Sequence, residues 1–260
     1  MSEASGLRHD FVRRALRALR AASSAAARQA GRRFFKEEIA LLGVPVPAMR
    51  RIARDLAPLA DRGAGIAAAL DACEPLMAEA LHEPRTLALL FCERWARRLD
   101  GTFVRRAGRW LAGSRCDNWA LVDALCIGSL GPLLARRPDL AAALASWPSS
   151  RNRWMRRASL VSWIPAVRRG ALLDEAYATA DRLLGDGEEL VRKATGWLLR
   201  EAGRTDRRRL EAYLRARGPR LPRIALRTAI ENFPAARRLE MLRGTRKEPG
   251  VRPPPHRRGA

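Results

Sequence analysis

The chain has 260 residues, 47% of them hydrophobic, so it is long enough to bury one large core or two small ones. Its 50 Lys and Arg residues outnumber 27 Asp and Glu residues, which leaves a net charge of +23 and a pI near 11.6. A GC-rich coding sequence explains why nearly all bases are arginine, but not why bases outnumber acids. Such an excess attracts polyanions. Nucleic acid is the partner we expect, with an acidic protein or a membrane surface as alternatives.

The sequence gives little indication of a metal site or of a membrane-spanning segment. The four cysteines and three histidines are Cys73, Cys92, Cys116, Cys126, His9, His82 and His256. They form no C-x-x-C pair and no zinc spacing, so we expect no metal, no cofactor, and reduced thiols buried in helix cores. Residues 1–10 lack an apolar signal core, and no apolar run approaches the roughly 20 residues of a transmembrane helix. We therefore expect a monomer in the cytoplasm, associated with the nucleoid and not with a membrane.

Helix-forming residues dominate from the first segment onward. Residues 1–30 are rich in Ala and Arg with amphipathic spacing, so we predict one long capping helix there. Beyond it Ala, Leu and Arg prevail, and runs of β-branched or aromatic residues are missing. Gly and Pro divide the chain into segments of helical length, and Asp117-Asn118 and Ser149-Ser150 both look like N-caps. The sequence predicts an all-α domain over residues 31–244.

A repeat of about 36 residues is visible beneath the helical pattern. Arg156-Arg157-Ala158-Ser159 aligns with Arg192-Lys193-Ala194-Thr195 at an offset of 36, and segments starting near Pro84 and Asp117 lie 33 residues apart. Periods of this length, each holding a helix and a return helix, are typical of a HEAT-like solenoid. We predict such a stack, with a concave basic face that carries Arg in successive repeats and binds a phosphate backbone.

The chain ends on a segment of different composition, residues 245–260. This segment is rich in Pro and Arg and nearly free of apolar side chains. It cannot bury enough apolar surface to offset the conformational entropy lost on ordering. We predict a disordered basic tail that adds non-specific attraction to DNA.

Three segments of the domain carry residues that could do chemistry. In the first, Trp119 and Asp123 are four residues apart and share one helix face. Leu121, Val122 and Leu125 supply the apolar face instead. Periodicity alone favours a packing role for Trp119 and a solvated carboxylate for Asp123.

The second segment contains Arg153 and Arg157, which also share a helix face. They are either solvated arginines or phosphate contacts, and the net charge favours contact with phosphate. The third segment has Gly196 in mid-helix, which costs about 1 kcal/mol relative to Ala. Close approach by a neighbouring helix or a ligand beside Trp197 accounts for that cost.

In their order and spacing, the three segments resemble the AlkD-type family of DNA alkylation repair glycosylases. The motifs are Asn-Trp-x-x-x-Asp, Asn-x-Trp-x-x-Arg-Ala and Lys-Ala-x-Gly-Trp-x-Leu-Arg-Glu, and the last is the most specific. The resemblance extends from about Phe34 to about Phe233. One departure is Asn118-Trp119-Ala120, where the family often has Trp-Trp-Asp, and this departure affects the shape of the pocket.

The resemblance implies a HEAT-like solenoid that holds duplex DNA in its concave face. It also implies hydrolysis of the N-glycosidic bond of cationic alkylpurines, such as 3-methyladenine and 7-methylguanine, with the lesion left stacked in the duplex. By motif position, Trp119, Asp123 and Trp197 match the family's catalytic residues, and Arg157 matches an arginine near the DNA backbone. The DNA-binding residues predicted from pattern and resemblance together are Arg153, Arg156, Arg157, Arg192 and Lys193.

The residue types suit this reaction. A purine alkylated at N3 or N7 is positively charged and leaves without a general acid, so the oxocarbenium-like sugar is the group that needs stabilising. A carboxylate such as that of Asp123 supplies negative charge there and orients water, and indole faces stabilise cations. Lys193 could in principle form a Schiff base, but a phosphate contact is favoured.

Two alternatives belong to other functional classes. A non-catalytic HEAT-like DNA-binding protein would keep a basic groove without needing Asp123 and both tryptophans. A protein-interaction solenoid would need neither those residues nor a charge of +23. Release of methylated bases from alkylated DNA distinguishes the glycosylase from both alternatives.

Overall fold

A computed structural model of the protein describes residues 3–61 and 65–245. Every regular element in these two ranges is helical, which confirms the predicted all-α fold. The α-helices are α1 (Glu3–Ala21), α2 (Ala25–Phe34), α3 (Val46–Ala60), α4 (Ile66–Ala78), α5 (His82–Arg94), α6 (Gly101–Ala112), α7 (Trp119–Leu125), α8 (Gly131–Arg136), α9 (Arg153–Val161), α10 (Ile164–Val167), α11 (Leu173–Arg182), α12 (Glu189–Thr205), α13 (Arg207–Arg217), α14 (Arg223–Ala229) and α15 (Ala235–Gly244). Short 3₁₀ turns and one π-helical segment connect them. The predicted tail lies outside the described residues from position 246 onward.

Six of these helices form what we call the central row: α3, α5, α7, α9, α12 and α14, each packed against the next. The last five begin at His82, Trp119, Arg153, Glu189 and Arg223, so successive starts are 37, 34, 36 and 34 residues apart. Helices between them, such as α4, α11 and α13, return the chain and pack on the same row. This arrangement is the HEAT-like solenoid that the 36-residue offset predicts.

The core follows from the helical period of the apolar residues. In α12, Val191, Ala194, Leu198 and Ala202 recur every three or four residues and are all buried. Burying one leucine side chain contributes about 1.5–3 kcal/mol, so stripes of this kind in every row helix supply most of the stability. All four cysteines are buried as free thiols, as expected.

The N-terminal segment differs from its prediction. Instead of one helix over residues 1–30, the chain forms α1, breaks at residues 22–24 and starts again as α2. The break has a local cause, because the Ser24 hydroxyl accepts the backbone N–H of Ala27 and caps α2. Whereas α1 buries Phe11 and Leu19 in the core, α2 buries no residue.

The two predicted N-caps have different outcomes. Asn118 caps α7 through a hydrogen bond from the backbone N–H of Leu121, as predicted. The cap of α9 is Asn152, which accepts from Trp154 N–H, and not Ser149 or Ser150. Ser150 contributes one step earlier, since its hydroxyl accepts the N–H of Asn152.

One helical run comes closer to membrane-spanning composition than we expected. Residues Trp119–Arg136, formed by α7, the π-helical segment and α8, are long and apolar enough to cross a membrane, judged by length and composition alone. Half of this run is buried inside the protein. Its first part, α7, belongs to the central row, and Asp123 within α7 is ion-paired.

Gly196 allows the close approach of a neighbouring helix that the sequence predicts. A Cβ built there would lie 2.6 Å from the backbone oxygen of Ala225 and 2.6 Å from the Cβ of Thr228, both on α14. Gly196→Ala is therefore expected to push α12 from α14 and lower the free energy of unfolding by about 1–3 kcal/mol, measured by urea titration. Gly187→Ala is the control, because nothing lies within 4 Å of its Cβ. An equal effect of both substitutions would contradict this packing.

Candidate active site

A cleft of about 440 Å³ opens where α7, α9 and α12 of the central row meet the chain that follows α2. Four residues predicted from the sequence line it together: Trp119, Arg153, Arg157 and Lys193. The other lining residues are Phe34, Lys36, Glu37, Glu188, Glu189 and Leu190. The central row brings them together because each contributing helix begins at this edge of the stack.

Asp123 and Arg157, the second of which lines the cleft, form a two-pronged ion pair. Nε and Nη2 of Arg157 donate to the two carboxylate oxygens of Asp123 at 2.9 and 2.7 Å. The Nη1 of Arg157 donates to the backbone oxygen of Leu190 at 2.5 Å. One guanidinium thus joins α7, α9 and the start of α12, and its two-pronged grip fixes the orientation of the carboxylate.

Burial of this pair excludes a solvated carboxylate at Asp123. Asp123 is not the solvated acid that periodicity favours, since only 17% of its side chain is exposed. Burial raises the pKa of Asp123, and the hydrogen bonds and charge of Arg157 oppose that rise. Arg157 itself is 5% exposed, and its N–H groups donate hydrogen bonds to Asp123 and Leu190. A DNA-backbone contact by Arg157 stays a prediction. The structure adds a role that the sequence pattern did not indicate, because Arg157 orients the carboxylate of Asp123.

Aromatic rings form one wall of the cleft. The centroids of Phe34 and Phe35 lie 5.2 and 5.8 Å from that of Trp119. Phe34 is 65% exposed, an unusual environment for a large apolar side chain. Sequence reasoning missed both phenylalanines as site residues. The available signal was a pair of adjacent aromatic residues at the end of a segment that otherwise consists of Ala, Arg, Gln and Gly.

A buried carboxylate holds the chain that carries these phenylalanines. Glu83, at the start of α5, accepts the backbone N–H groups of Leu42, Gly43 and Val44 at 2.8, 2.7 and 3.2 Å. Gly43 has a φ of +89°, and a Cβ there would lie 2.5 Å from the backbone oxygen of Ser24. The loop after α2 is therefore fixed against the central row, which holds Phe34 at the cleft.

The exposed bases of the cleft each have an acidic neighbour. Arg153 lies 3.6 Å from Glu37 and 3.5 Å from Glu188, and its guanidinium stacks on Trp154. Lys193 lies 2.6 Å from the Glu189 carboxylate. Because these pairs are solvent-exposed, each contributes little to stability, and a phosphate can compete for the base.

Of the predicted catalytic residues, Asp123 is connected to the cleft through Arg157 and is not one of the residues that line it. Trp197 does not line the cleft either. It lies one turn beyond Lys193 on α12, half-buried against the core. Its indole N–H donates to the carboxylate of Glu201 at 3.3 Å, and Arg168 donates to the same carboxylate at 2.9 Å. Glu201 is buried; desolvation opposes its ionisation, but the Arg168 hydrogen bond and neighbouring arginines outweigh it and lower the pKa of Glu201.

Two further predicted DNA contacts also lie outside the cleft. Arg156 pairs with Asp186 at 2.6 Å, and its Nη1 donates to the backbone oxygen of Ser150. The Nε of Arg192 donates to the backbone oxygen of Asp186 at 2.5 Å. Both guanidinium groups hold loops between helices in the structure, and their contact with DNA stays a prediction.

Comparison with known proteins identifies the family. A family model described as DNA alkylation repair enzyme matches residues 15–233. The chain belongs to this family. Repair of alkylated DNA is therefore its role and DNA its partner. The match also begins inside α1, well before Phe34, where the motif resemblance starts.

The fold has a solved counterpart. A structure described as a predicted DNA alkylation repair enzyme from Enterococcus faecalis superimposes with a TM-score of 0.72, covering 82% of this chain and 97% of its own. At 17% sequence identity this similarity supports the fold alone. No curated protein matches the sequence.

Proposed function

We propose that this family member is a DNA glycosylase of base excision repair that hydrolyses the N-glycosidic bond of cationic alkylpurines, such as 3-methyladenine and 7-methylguanine, in duplex DNA. The observation that carries the proposal is the oriented, nearly buried carboxylate of Asp123 beside an aromatic cleft. A cationic base is already a good leaving group, so the protein needs to stabilise the sugar and not to protonate the base.

Asp123 supplies the negative charge in this proposal. As the bond to the base lengthens, positive charge develops on the sugar, and a fixed carboxylate in a poorly solvated position stabilises it. Arg157 holds both carboxylate oxygens, so no reorganisation is needed as the charge develops. Each oxygen keeps a lone pair with which it can orient the attacking water.

The tryptophans supply cation-stabilising faces. Trp119 lines the cleft, whereas Trp197 stands one turn along α12 from Lys193. An indole face near a desolvated cation contributes up to about 2 kcal/mol. The bases at the cleft bind the DNA backbone, with phosphates displacing glutamates from Arg153 and Lys193.

Replacing either tryptophan tests these roles. Trp119→Leu keeps an apolar side chain but removes the π face, so excision is expected to fall roughly 30-fold, equivalent to about 2 kcal/mol. Trp119→Phe keeps an aromatic face and is expected to lose less. Trp197→Leu should reduce excision likewise, while binding of undamaged duplex changes little in all three. Excision by Trp119→Leu equal to that of the wild type would exclude this tryptophan from the reaction.

The proposal itself is tested by incubating purified protein with methylated duplex DNA and identifying the released bases by chromatography and mass spectrometry. Free 3-methyladenine or 7-methylguanine, with an abasic site left behind, is the expected result. Tight duplex binding without release of any base would support the alternative, a non-catalytic HEAT-like DNA-binding protein.

A further inference from the structure

Two arginines at equivalent positions form ion pairs that join successive repeats. Arg85 and Arg156 are the fourth residues of α5 and α9. Each donates to backbone oxygens of the loop before its own helix: Arg85 to Glu79 at 2.6 Å and Arg156 to Ser150 at 2.9 Å. Each guanidinium also pairs with an aspartate in a loop that precedes a later row helix, which neutralises its charge.

Those aspartates are Asp117 and Asp186. Arg85 pairs with Asp117, two residues before α7, at 2.8 Å, and Arg156 pairs with Asp186, three residues before α12, at 2.6 Å. A base on one repeat facing an acid on the next stabilises the junction, since a partly buried arginine needs a counter-charge.

The junction between α12 and α14 differs from these two. Arg192 is the fourth residue of α12, in the position of Arg85 and Arg156. The residue three positions before α14, in the place of Asp186, is Arg220. A base lies where the preceding junction has an acid, so that two like charges face this junction.

The result is a pocket lined by four arginines. It measures about 620 Å³, and Arg192, Arg220, Arg223 and Arg227 line it together with Gly185 and other apolar or neutral residues. Among the residues that the structure describes, no acid lines this pocket, whereas the cleft has three glutamates. Arg223 is held by backbone and hydroxyl oxygens of Leu242 and Thr245. Four guanidinium groups without a carboxylate repel one another and favour an anion between them.

We propose that this arginine pocket binds phosphate, specifically a phosphodiester of the DNA backbone one repeat beyond the cleft. Guanidinium forks match phosphate oxygens in geometry and charge. The pocket lies between the first turns of α12 and α14, and the cleft lies between those of α9 and α12, so one strand can touch both. The inference rests on DNA as the partner and not on glycosylase chemistry.

Binding of a labelled, undamaged duplex as a function of salt tests the DNA contact. Removing two bases by Arg220→Ala and Arg227→Ala is expected to reduce the slope of log K against log salt by about 0.9 for each phosphate lost, and to weaken binding roughly tenfold at 0.1 M salt. The matched control is Arg109→Ala with Arg208→Ala, two exposed arginines on the return helices α6 and α13. Equal slopes for both double variants would overturn the DNA contact.

A second measurement needs no DNA. Arg220→Asp introduces at this junction the acid that Asp186 supplies in the preceding one, so it is expected to raise the Tm of the free protein and to reduce the further rise with phosphate. The wild type should gain Tm with sodium phosphate over sodium chloride at matched ionic strength, because phosphate binds its native state. Equal phosphate responses in both proteins would overturn the pocket as an anion site.

The two measurements separate the possible sources of phosphate. A phosphate-dependent Tm together with the reduced salt slope supports a backbone contact. A phosphate-dependent Tm with an unchanged slope would assign the pocket to free phosphate and overturn the DNA contact. Neither measurement detects base release. The proposed glycosylase activity can therefore be wrong while this inference is correct, and this inference can be wrong while the activity is correct.

Discussion

Replacing Asp123 with Asn is expected to reduce excision of 7-methylguanine by about 100-fold or more, equivalent to roughly 3 kcal/mol of transition-state stabilisation. The amide keeps the size of the side chain and an oxygen for Arg157, but it removes the charge that faces the sugar. Binding of undamaged duplex should be equal or tighter, because one negative charge near the phosphates is gone. Single-turnover release of base from methylated duplex measures the first effect, and fluorescence anisotropy the second.

A matched control separates this effect from general charge. Asp174→Asn makes the same chemical change at a carboxylate on α11 that is 88% exposed, and it should leave excision unchanged. Full excision by the Asp123→Asn variant, with its fold verified by circular dichroism, would contradict the proposed role of the carboxylate.

The second large effect concerns stability. Arg157→Ala leaves the carboxylate of Asp123 buried without its partner, and breaking a buried ion pair in this way costs about 3–5 kcal/mol at neutral pH. Removing the charge as well, in Arg157→Ala with Asp123→Asn, should recover part of that loss. Urea titrations of both variants and of the wild type give the three free energies of unfolding.

The pH dependence of this loss has a definite sign. Burial raises the pKa of Asp123 above 3.8, and Arg157 opposes the rise, so the arginine's removal raises the pKa further. The folded state of the Arg157→Ala variant then binds a proton that the unfolded state releases. Its deficit is largest above the folded-state pKa of Asp123 and shrinks as pH falls toward 3.8. A deficit that stays constant from pH 7.5 down to pH 4 would show that Asp123 is not its cause.

The repeat could be predicted because it rests on local chemistry. Runs of helix-forming residues between Gly and Pro indicate the helices. The alignment of Arg156 with Arg192 reflects their equivalent positions in α9 and α12. The break between α1 and α2 was missed because amphipathic spacing continues across it. Only Ser24, whose hydroxyl caps α2, marks the interruption.

The site could be predicted in part. The motifs identified Trp119 and Arg157, which line one cleft, and Asp123, which lies against Arg157. Spacing reports which residues share a helix face, but not which face is covered by the next helix. The Asp123–Arg157 pair joins residues 34 positions apart, so periodicity within α7 or α9 alone could not show it. For the same reason the pairing of Arg156 with Asp186 could not be predicted from the sequence.

The central claim is that the protein releases a base because that base is cationic, without protonating it. The most direct test offers the wild type two duplexes of the same sequence, one with 7-methylguanine and one with uracil or hypoxanthine at the target position, and measures each free base by mass spectrometry. The account predicts release of 7-methylguanine and none of the neutral bases. Robust release of uracil or hypoxanthine would contradict it.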